Sequence, residues 1–306
     1  MKPSTPRAAA LAAPKQQRNW DWRAAANFIC GGAGGGLLLA VAFAGIETPA
    51  ARIALLLGLA LIATGLTCVW FEIGRPWRAM NVYRHFATSW MTREAVVALV
   101  VFATGGLALL TGMRGLIVLA GICGLAFLYS QARILAANKG IPAWRHPASV
   151  PLMMATGLAE GAGFLACVAA WFGAAGSSWI ALVLVALVAL RAWFWKSYLV
   201  RLDDDGAPDE ALKVLHGMSS RLLLLGHAAP AIAAALAVSG APGRGGWLLA
   251  GGLLTVGGGW FMKYTLVRRA AFTQGLSMAR LPTRGRGVPG PQVKPGWKSI
   301  QGAKAG

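Results

Sequence analysis

Eight stretches of this chain run for many residues without a charged side chain, and they restrict the fold more than any other feature. They are Ala24–Ile46, Ile53–Phe71, Ala95–Met113, Gly115–Ala132, Ala148–Ala159, Gly161–Leu190, Leu222–Gly243 and Gly245–Met262. A helix needs about 20 apolar residues to cross the hydrocarbon core. Gly161–Leu190 is too long for one span. It joins the preceding run across Glu160 and breaks at the small, polar stretch Gly173–Ser178. Helices are expected because a chain in lipid must satisfy its backbone groups internally, and no barrel-like alternation of short segments is present. The expectation is an all-α, polytopic membrane bundle of about eight transmembrane helices. Only 13% of the residues are charged, against about 25% in soluble domains.

The basic residues fix an orientation. The net charge of +19 raises nucleic acid as a partner, but the placement of the charges points to a membrane. With the N-terminus on one side, 26 of the 29 Lys and Arg fall on that side, leaving Arg52, Arg114 and Arg244 on the other. Basic residues accumulate at the cytoplasmic surface. Both termini are therefore expected in the cytoplasm, with the chain in a bacterial-type inner membrane and no nucleic acid bound. Residues 1–23 read as a flexible basic tail with no convincing cleavable signal. Residues 24–267 read as the membrane domain. Residues 268–306, rich in Gly, Pro, Arg and Lys, read as a cytoplasmic tail without a core of its own, suited to anionic lipid or a partner.

Between the second and third runs lies Phe71–Glu94, which carries Glu72, Arg75, Arg78, Tyr83, Arg84, His85 and Arg93. A quinone site needs an apolar slot, hydrogen-bond partners for two carbonyls, and a proton carrier. Glu72, at the mouth of helix two, can be that carrier; equally, it can pair with Arg75 or Arg78. Asn27, at the cytoplasmic end of helix one, can hydrogen-bond a carbonyl or hold a helix contact. The glycines of Gly31–Gly36 read as a close-packing surface. Ser89 followed by Glu94 reads as the capped start of helix three, with Glu94 structural. Glu160 lies deep in helix five, where a carboxylate costs about 2.5–3.5 kcal/mol unless paired or protonated. It is a proton-transfer candidate, or else a carboxyl bonded to a neighbouring helix.

Built-in redox centres are not expected. A transmembrane haem uses two histidines on facing helices, and of His85, His146, His216 and His227 only the last lies in an apolar run. Cys30, Cys68, Cys123 and Cys167 sit in four different helices without the close spacing of an iron–sulfur site. A metal site is not expected either. In the connector that follows helix six, Arg191–Arg221, the acidic turn Asp203–Asp205 lacks the spacing of a calcium loop. Two further readings remain: a secondary transporter built on Glu160 and a helix broken near Pro230, and a purely structural anchor.

Glu72-Ile-Gly-Arg-Pro76 followed by Ser89-Trp-Met-Thr-Arg-Glu94 resembles the membrane anchor subunits of dimethyl sulfoxide reductase-type molybdoenzymes. That family shows a His-Leu-Gly-Arg-Pro pattern and then a Ser-Trp-x-Ser-Arg-Glu pattern. Tyr129–Arg133 and Pro142–Trp144 look like its next connector, and the Gly-rich first helix is similar to the wider polysulfide reductase anchor superfamily. The resemblance implies eight helices anchoring a molybdopterin catalytic subunit and an iron–sulfur subunit, with exchangeable quinone as electron carrier. It places Glu72, Gly74 and Arg75 at a quinone site, to which the reading of the residues adds Asn27 and His85; Arg78, Arg84, Arg93, Arg133 and Arg145 are expected to dock the partners. The family's motif histidine is matched here by Glu72. With the motif face cytoplasmic, the partner's substrate is expected in the cytoplasm, as in phenylacetyl-CoA-oxidising complexes whose anchors look like this chain.

Overall fold

The computed structural model describes residues 13–44, 49–72, 86–173 and 178–274. Among these residues the chain is helical, with one isolated bridge between Gln16 and Phe272. Seven long helices are apolar enough to cross a membrane: α1 (Trp22–Ala44), α2 (Pro49–Glu72), α3 (Trp90–Thr111), α4 (Arg114–Ala136), α5 (Ser149–Trp171), α6 (Ser178–Asp204) and α7 (Asp209–Val238). An eighth, α8 (Arg244–Tyr264), has 21 residues. Its seven glycines keep its hydropathy below that of the others. It is nonetheless as long as a span and packs against α5 and α7. Gln17 N donates to Ala271 O (2.8 Å) and Thr273 N to Lys15 O (2.8 Å), so the segments flanking the bundle meet on one face. An even number of crossings is required for that, and α8 supplies it. This face is called the terminal face below.

The helices form two groups of neighbours, α1–α4 and α5–α8, joined where α1 lies along α5. The glycine run of α1 makes that arrangement possible by serving three neighbours in turn. A methyl on Gly34 would sit 2.6 Å from Gly58 O of α2, and one on Gly35 would sit 2.5 Å from Gly124 O of α4. A methyl on Gly36 would collide with Gly157 O of α5, and one on Gly161 would collide with the backbone of Gly36. Backbones approach this closely only where neither side carries a Cβ. The packing reading of Gly31–Gly36 therefore holds, and the central position of α1 is its cause. α5 is the most enclosed span, with 78% of its apolar window buried.

Two apolar cores fill the half away from the terminal face. One is built on Leu37, Leu55, Ile62 and Val101, and the other on Ala166, Leu184, Val188 and Leu248. A third, richer in aromatic residues, lies on the terminal side with Phe28, Trp144, Trp195 and Tyr198. There Trp20 stacks on Trp144 at 4.7 Å, Trp144 Nε1 donates to Leu266 O (2.8 Å) and Tyr198 Oη donates to Ala143 O (2.6 Å). These bonds seat the connector between α4 and α5, including the single turn Pro142–Arg145, under the ends of α6 and α8. The outward faces carry Leu56, Leu110, Leu182, Trp193, Ile232 and Leu253, all exposed, as a lipid-facing surface requires.

Local signals in the sequence set the ends. Ser89 Oγ accepts from Thr92 N at 3.4 Å at the start of α3, as expected. Gly112, at φ 70°, ends that helix in the left-handed conformation that glycine tolerates best. One expectation is corrected. The connector after helix six is expected to begin at Arg191, but α6 continues to Asp204 and Arg191 is wholly buried. The charge ends the apolar run in the sequence without ending the helix. The asymmetry of basic residues is almost unchanged without it.

Replacing Gly36 with Ala is expected to destabilise the chain by about 1–3 kcal/mol, because a packed backbone must move. Gly106→Ala, where nothing lies within 4 Å of the added methyl, should be neutral or slightly stabilising. Thermal unfolding of both variants in detergent checks the pair; equal melting points would contradict this packing.

Candidate functional site

Among the described residues, most of the buried polar groups between the helices fall in the terminal half of the bundle. The outermost is Glu72, the last residue of α2. Its Oε1 is enclosed and has no hydrogen-bond partner, while Asp21, Arg23 and Arg268 surround it electrostatically. Arg23 Nη1 donates to Phe71 O (2.5 Å) and so closes the end of α2. Asp21 begins α1 by accepting from Arg23 N (2.7 Å). The side-chain hydrogen bond from Arg23 holds the Asp21 carboxyl below its ordinary range, against a smaller opposing effect of burial.

Deeper lies a cluster on α1, α3 and α4. Asn27 Nδ2 donates to Glu94 Oε1 at 3.3 Å, and Gln131 Nε2 donates to Asn27 O at 3.0 Å. Gln131 also neighbours the Glu94 carboxylate. All three side chains are buried. Asn27–Gly31 is a π-helical turn, and such a turn loosens the backbone ladder at functional or packing sites. Here it leaves the Asn27 carbonyl for Gln131. Asn27 Oδ1 and Gln131 Oε1 keep no partner. Asn27 Oδ1 lies 3.0 Å from where a Cβ of Gly65 would be, two turns below Glu72 on α2.

At the centre stands Glu160, the middle residue of the 23-residue α5, about 17 Å from either end at 1.5 Å per residue. Its Oε2 accepts from Lys263 Nζ of α8 at 2.5 Å, and both side chains are 0% exposed. Glycines make room for the pair: a methyl on Gly259 would collide with the Glu160 carboxylate, and one on Gly32 would sit 2.6 Å from Lys263 Nζ. Beside the pair is Arg191 of α6. Its Nε donates to His227 Nε2 (3.3 Å), Nη1 to Thr255 O (2.8 Å) and Nη2 to Gly226 O. The last acceptor is produced by Pro230. Proline has no N–H, so the carbonyl four residues earlier loses its helical donor, and Arg191 takes it. The π turn Leu222–Ala228 absorbs the misfit. The helix therefore runs through Pro230, without the break that the transporter alternative calls for. His227 has both ring nitrogens engaged, Nδ1 with Leu222 O at 2.9 Å.

The remaining sequence candidates divide. Arg93 and Arg133 stack on the Trp90 ring at 4.3 and 4.9 Å. Arg93 also donates to Phe86 O and Ala87 O, pinning the approach to α3. Arg145 donates to Lys139 O (2.8 Å) and Gln274 Oε1 (2.5 Å) beside a terminal-face hollow that includes His146 and Asp205. Gly74, Arg75, Arg78, Arg84 and His85 lie outside the described residues. Asn27 and Glu72 share the terminal half, whereas Glu160 lies deeper and apart from Glu72. Sequence reasoning missed the buried roles of Glu94 and Gln131 beside Asn27, of Lys263 against Glu160, and of Arg191 against His227. The available signal was that each sits within helical reach of an apolar run while being polar.

Lys263→Met would strand the Glu160 carboxylate in a site without solvent. Loss of one partner of a buried pair costs about 3–5 kcal/mol, so unfolding in detergent should shift by that amount. Replacing both, Glu160→Leu with Lys263→Met, should recover most of it. A single variant as stable as the parent would contradict the pairing.

A family model described as "DMSO reductase anchor subunit (DmsC)" matches residues 44–218, more than half of the chain. The matched span holds Glu72, Glu94, Gln131, Glu160 and Arg191; Asn27 and Lys263 fall outside it. A sulfite dehydrogenase subunit from Allochromatium vinosum is 31% identical over 137 residues, covering 39% of this chain and 42% of that protein. The chain thus spans less than half the length of this curated relative.

Proposed function

The chain belongs to the DMSO reductase anchor subunit family, and from that premise we propose that it exchanges electrons between the quinone pool and an iron–sulfur subunit docked on its terminal face. As a member of that family it is a membrane anchor subunit of a molybdoenzyme complex. The quinone is its exchangeable substrate. A molybdopterin-bearing partner joins the assembly and carries out the final chemistry.

The observation that carries this reading is the enclosed, unpartnered Glu72 Oε1 at the end of α2. A buried polar atom without a partner is uncommon. One at a membrane boundary, on a carboxylate held between Arg23, Arg268 and Asp21, is fitted to accept a hydrogen bond from a quinol hydroxyl. Oxidation sends two electrons to the partner's clusters and frees two protons. Glu72 receives one and passes it to water at the nearby terminal face, and the other goes to that water directly. In the reverse direction the same carboxyl gives its proton back. Asn27 supplies a second acceptor in Oδ1 deeper in the same half, Gly74 and Arg75 come just after Glu72 in the chain, and His85 lies later in the same connector.

Docking on the terminal face agrees with its surface. Arg93 and Arg133 are held rigid against Trp90, and preorganised arginines suit an acidic partner. With basic residues marking the cytoplasmic side, the catalytic partner and its substrate are cytoplasmic. An organic thioester and sulfite, the latter taken from the relative's name, are the two substrates to assay first.

Glu72→Gln should leave the three subunits copurifying and the partner's reaction with soluble dyes intact, while quinone-linked turnover falls by about 10² or more, the range for loss of a positioned proton carrier. Unchanged quinone-linked turnover would remove Glu72 from the site.

A further inference from the structure

The Glu160–Lys263 pair lies at the inner end of a set of polar atoms of which the family reading uses only Asn27 Oδ1. An ammonium has three donors, and Lys263 gives one to Glu160 Oε2. Glu160 Oε1, Gln131 Oε1 and Asn27 Oδ1 are enclosed acceptors that no protein donor reaches. Such groups are met by internal water. The geometry supports one here. A methyl placed on Gly32 would stand 2.6 Å from Lys263 Nζ and 3.4 Å from Gln131 Oε1, so a single bridging water spans the two. Gln131 in turn contacts Asn27, and Asn27 contacts Glu94. Glu94 is four residues into α3, about 6 Å from the terminal face.

We propose that the Glu160–Lys263 pair holds an exchangeable proton and that Gln131, Asn27, Glu94 and their waters lead it to the terminal face alone. The charges favour such exchange. The ionisable groups facing Glu160 are Lys263 of α8, Arg191 of α6 and the Cys30 thiol of α1. Arg191 stays protonated. With Lys263 charged as well, the centre holds two cations against one carboxylate. Loss of one proton from the Lys263 ammonium, through water to Glu94 and out, leaves a neutral amine that still donates to Glu160 Oε2, with Arg191 as the remaining cation. Return of the proton reverses the step, and no oxidant or reductant is involved.

Among the described residues, no chain of polar groups leads to the pair from the opposite face. The groove that enters there between α1, α5 and α6, about 330 Å³, is lined by apolar groups such as Leu39, Phe43, Leu165 and Val183.

The test uses the assembled complex in sealed vesicles of one orientation, with no quinone or acceptor added, so its outcome is independent of the quinone assignment. The pH is jumped on either side across roughly pH 5–11, the range that spans ordinary His and Lys titration, and infrared difference spectra are recorded. The carboxylate band lost in Glu160→Gln is expected to respond to pH on the terminal face and not on the other. Gly32→Ala, which touches only side-chain ends, should slow that response at least about tenfold, a barrier increase of about 1.4 kcal/mol; Gly106→Ala should not. If Glu160→Gln does not assemble, the Gly32→Ala comparison on the terminal-face response decides alone. Equal responses from both faces, no response in this range, or an unaltered rate in Gly32→Ala would overturn the proposal.

Discussion

A carboxylate and an ammonium, both without access to solvent, meet at mid-depth between α5 and α8, and the neighbouring structure is shaped to hold them. Neither charge tolerates burial alone. Gly259 and Gly32 give up their side chains so that Glu160 and Lys263 fit. Arg191 adds a third charge, held by carbonyls and His227 instead of a second carboxylate. The glycines that admit these groups lower the hydropathy of α8, which explains why the helix that closes the bundle is the least membrane-like by composition. The same concession lets α1 lie against α2, α4 and α5 within backbone contact.

Irregular backbone is the second half of this arrangement. Three π turns occur in the described helices, at Asn27–Gly31, Leu222–Ala228 and Thr265–Arg269. Each lies where a side chain from elsewhere takes a carbonyl. Gln131 takes Asn27 O, Arg191 takes Gly226 O, and Trp144 takes Leu266 O. Beyond the last turn, Gln16 and Gln17 reach the carbonyls of Arg268 and Val267, so the N-terminal segment caps the last helix. In lipid an unpaired carbonyl is expensive. Side chains placed at such turns convert that cost into cross-links between helices that are far apart in the chain.

Much of this was readable from residue order. Charge-free runs located the helices, Ser89 marked a start, and the isolation of Glu160 within an apolar run marked it as unusual. What escaped was direction. Nothing in Arg191, Lys263 or Glu94 says whether the side chain turns outward to headgroups or inward to a partner, because both fates suit a charge near a helix end. Gln131 and Arg191 acquire meaning only from Asn27 and Pro230, each distant in the chain, through freed carbonyls. The Gly-Arg-Pro motif was the strongest signal of family, yet its Gly74 and Arg75 lie outside the described residues.

Among the described residues, the buried ionisable and amide side chains lie on one side. Glu72, Glu94, Asn27, Gln131 and Lys263 occupy the terminal half, Glu160 and Arg191 mark its floor, and the other half is largely apolar. The most direct measurement is an experimental density map of the assembled complex at a resolution that shows ordered water. The account predicts the partner subunits over the terminal face and water beside Gly32 between Gln131 and Lys263. Partners seated on the opposite face, or a dry contact at Gly32, would contradict it.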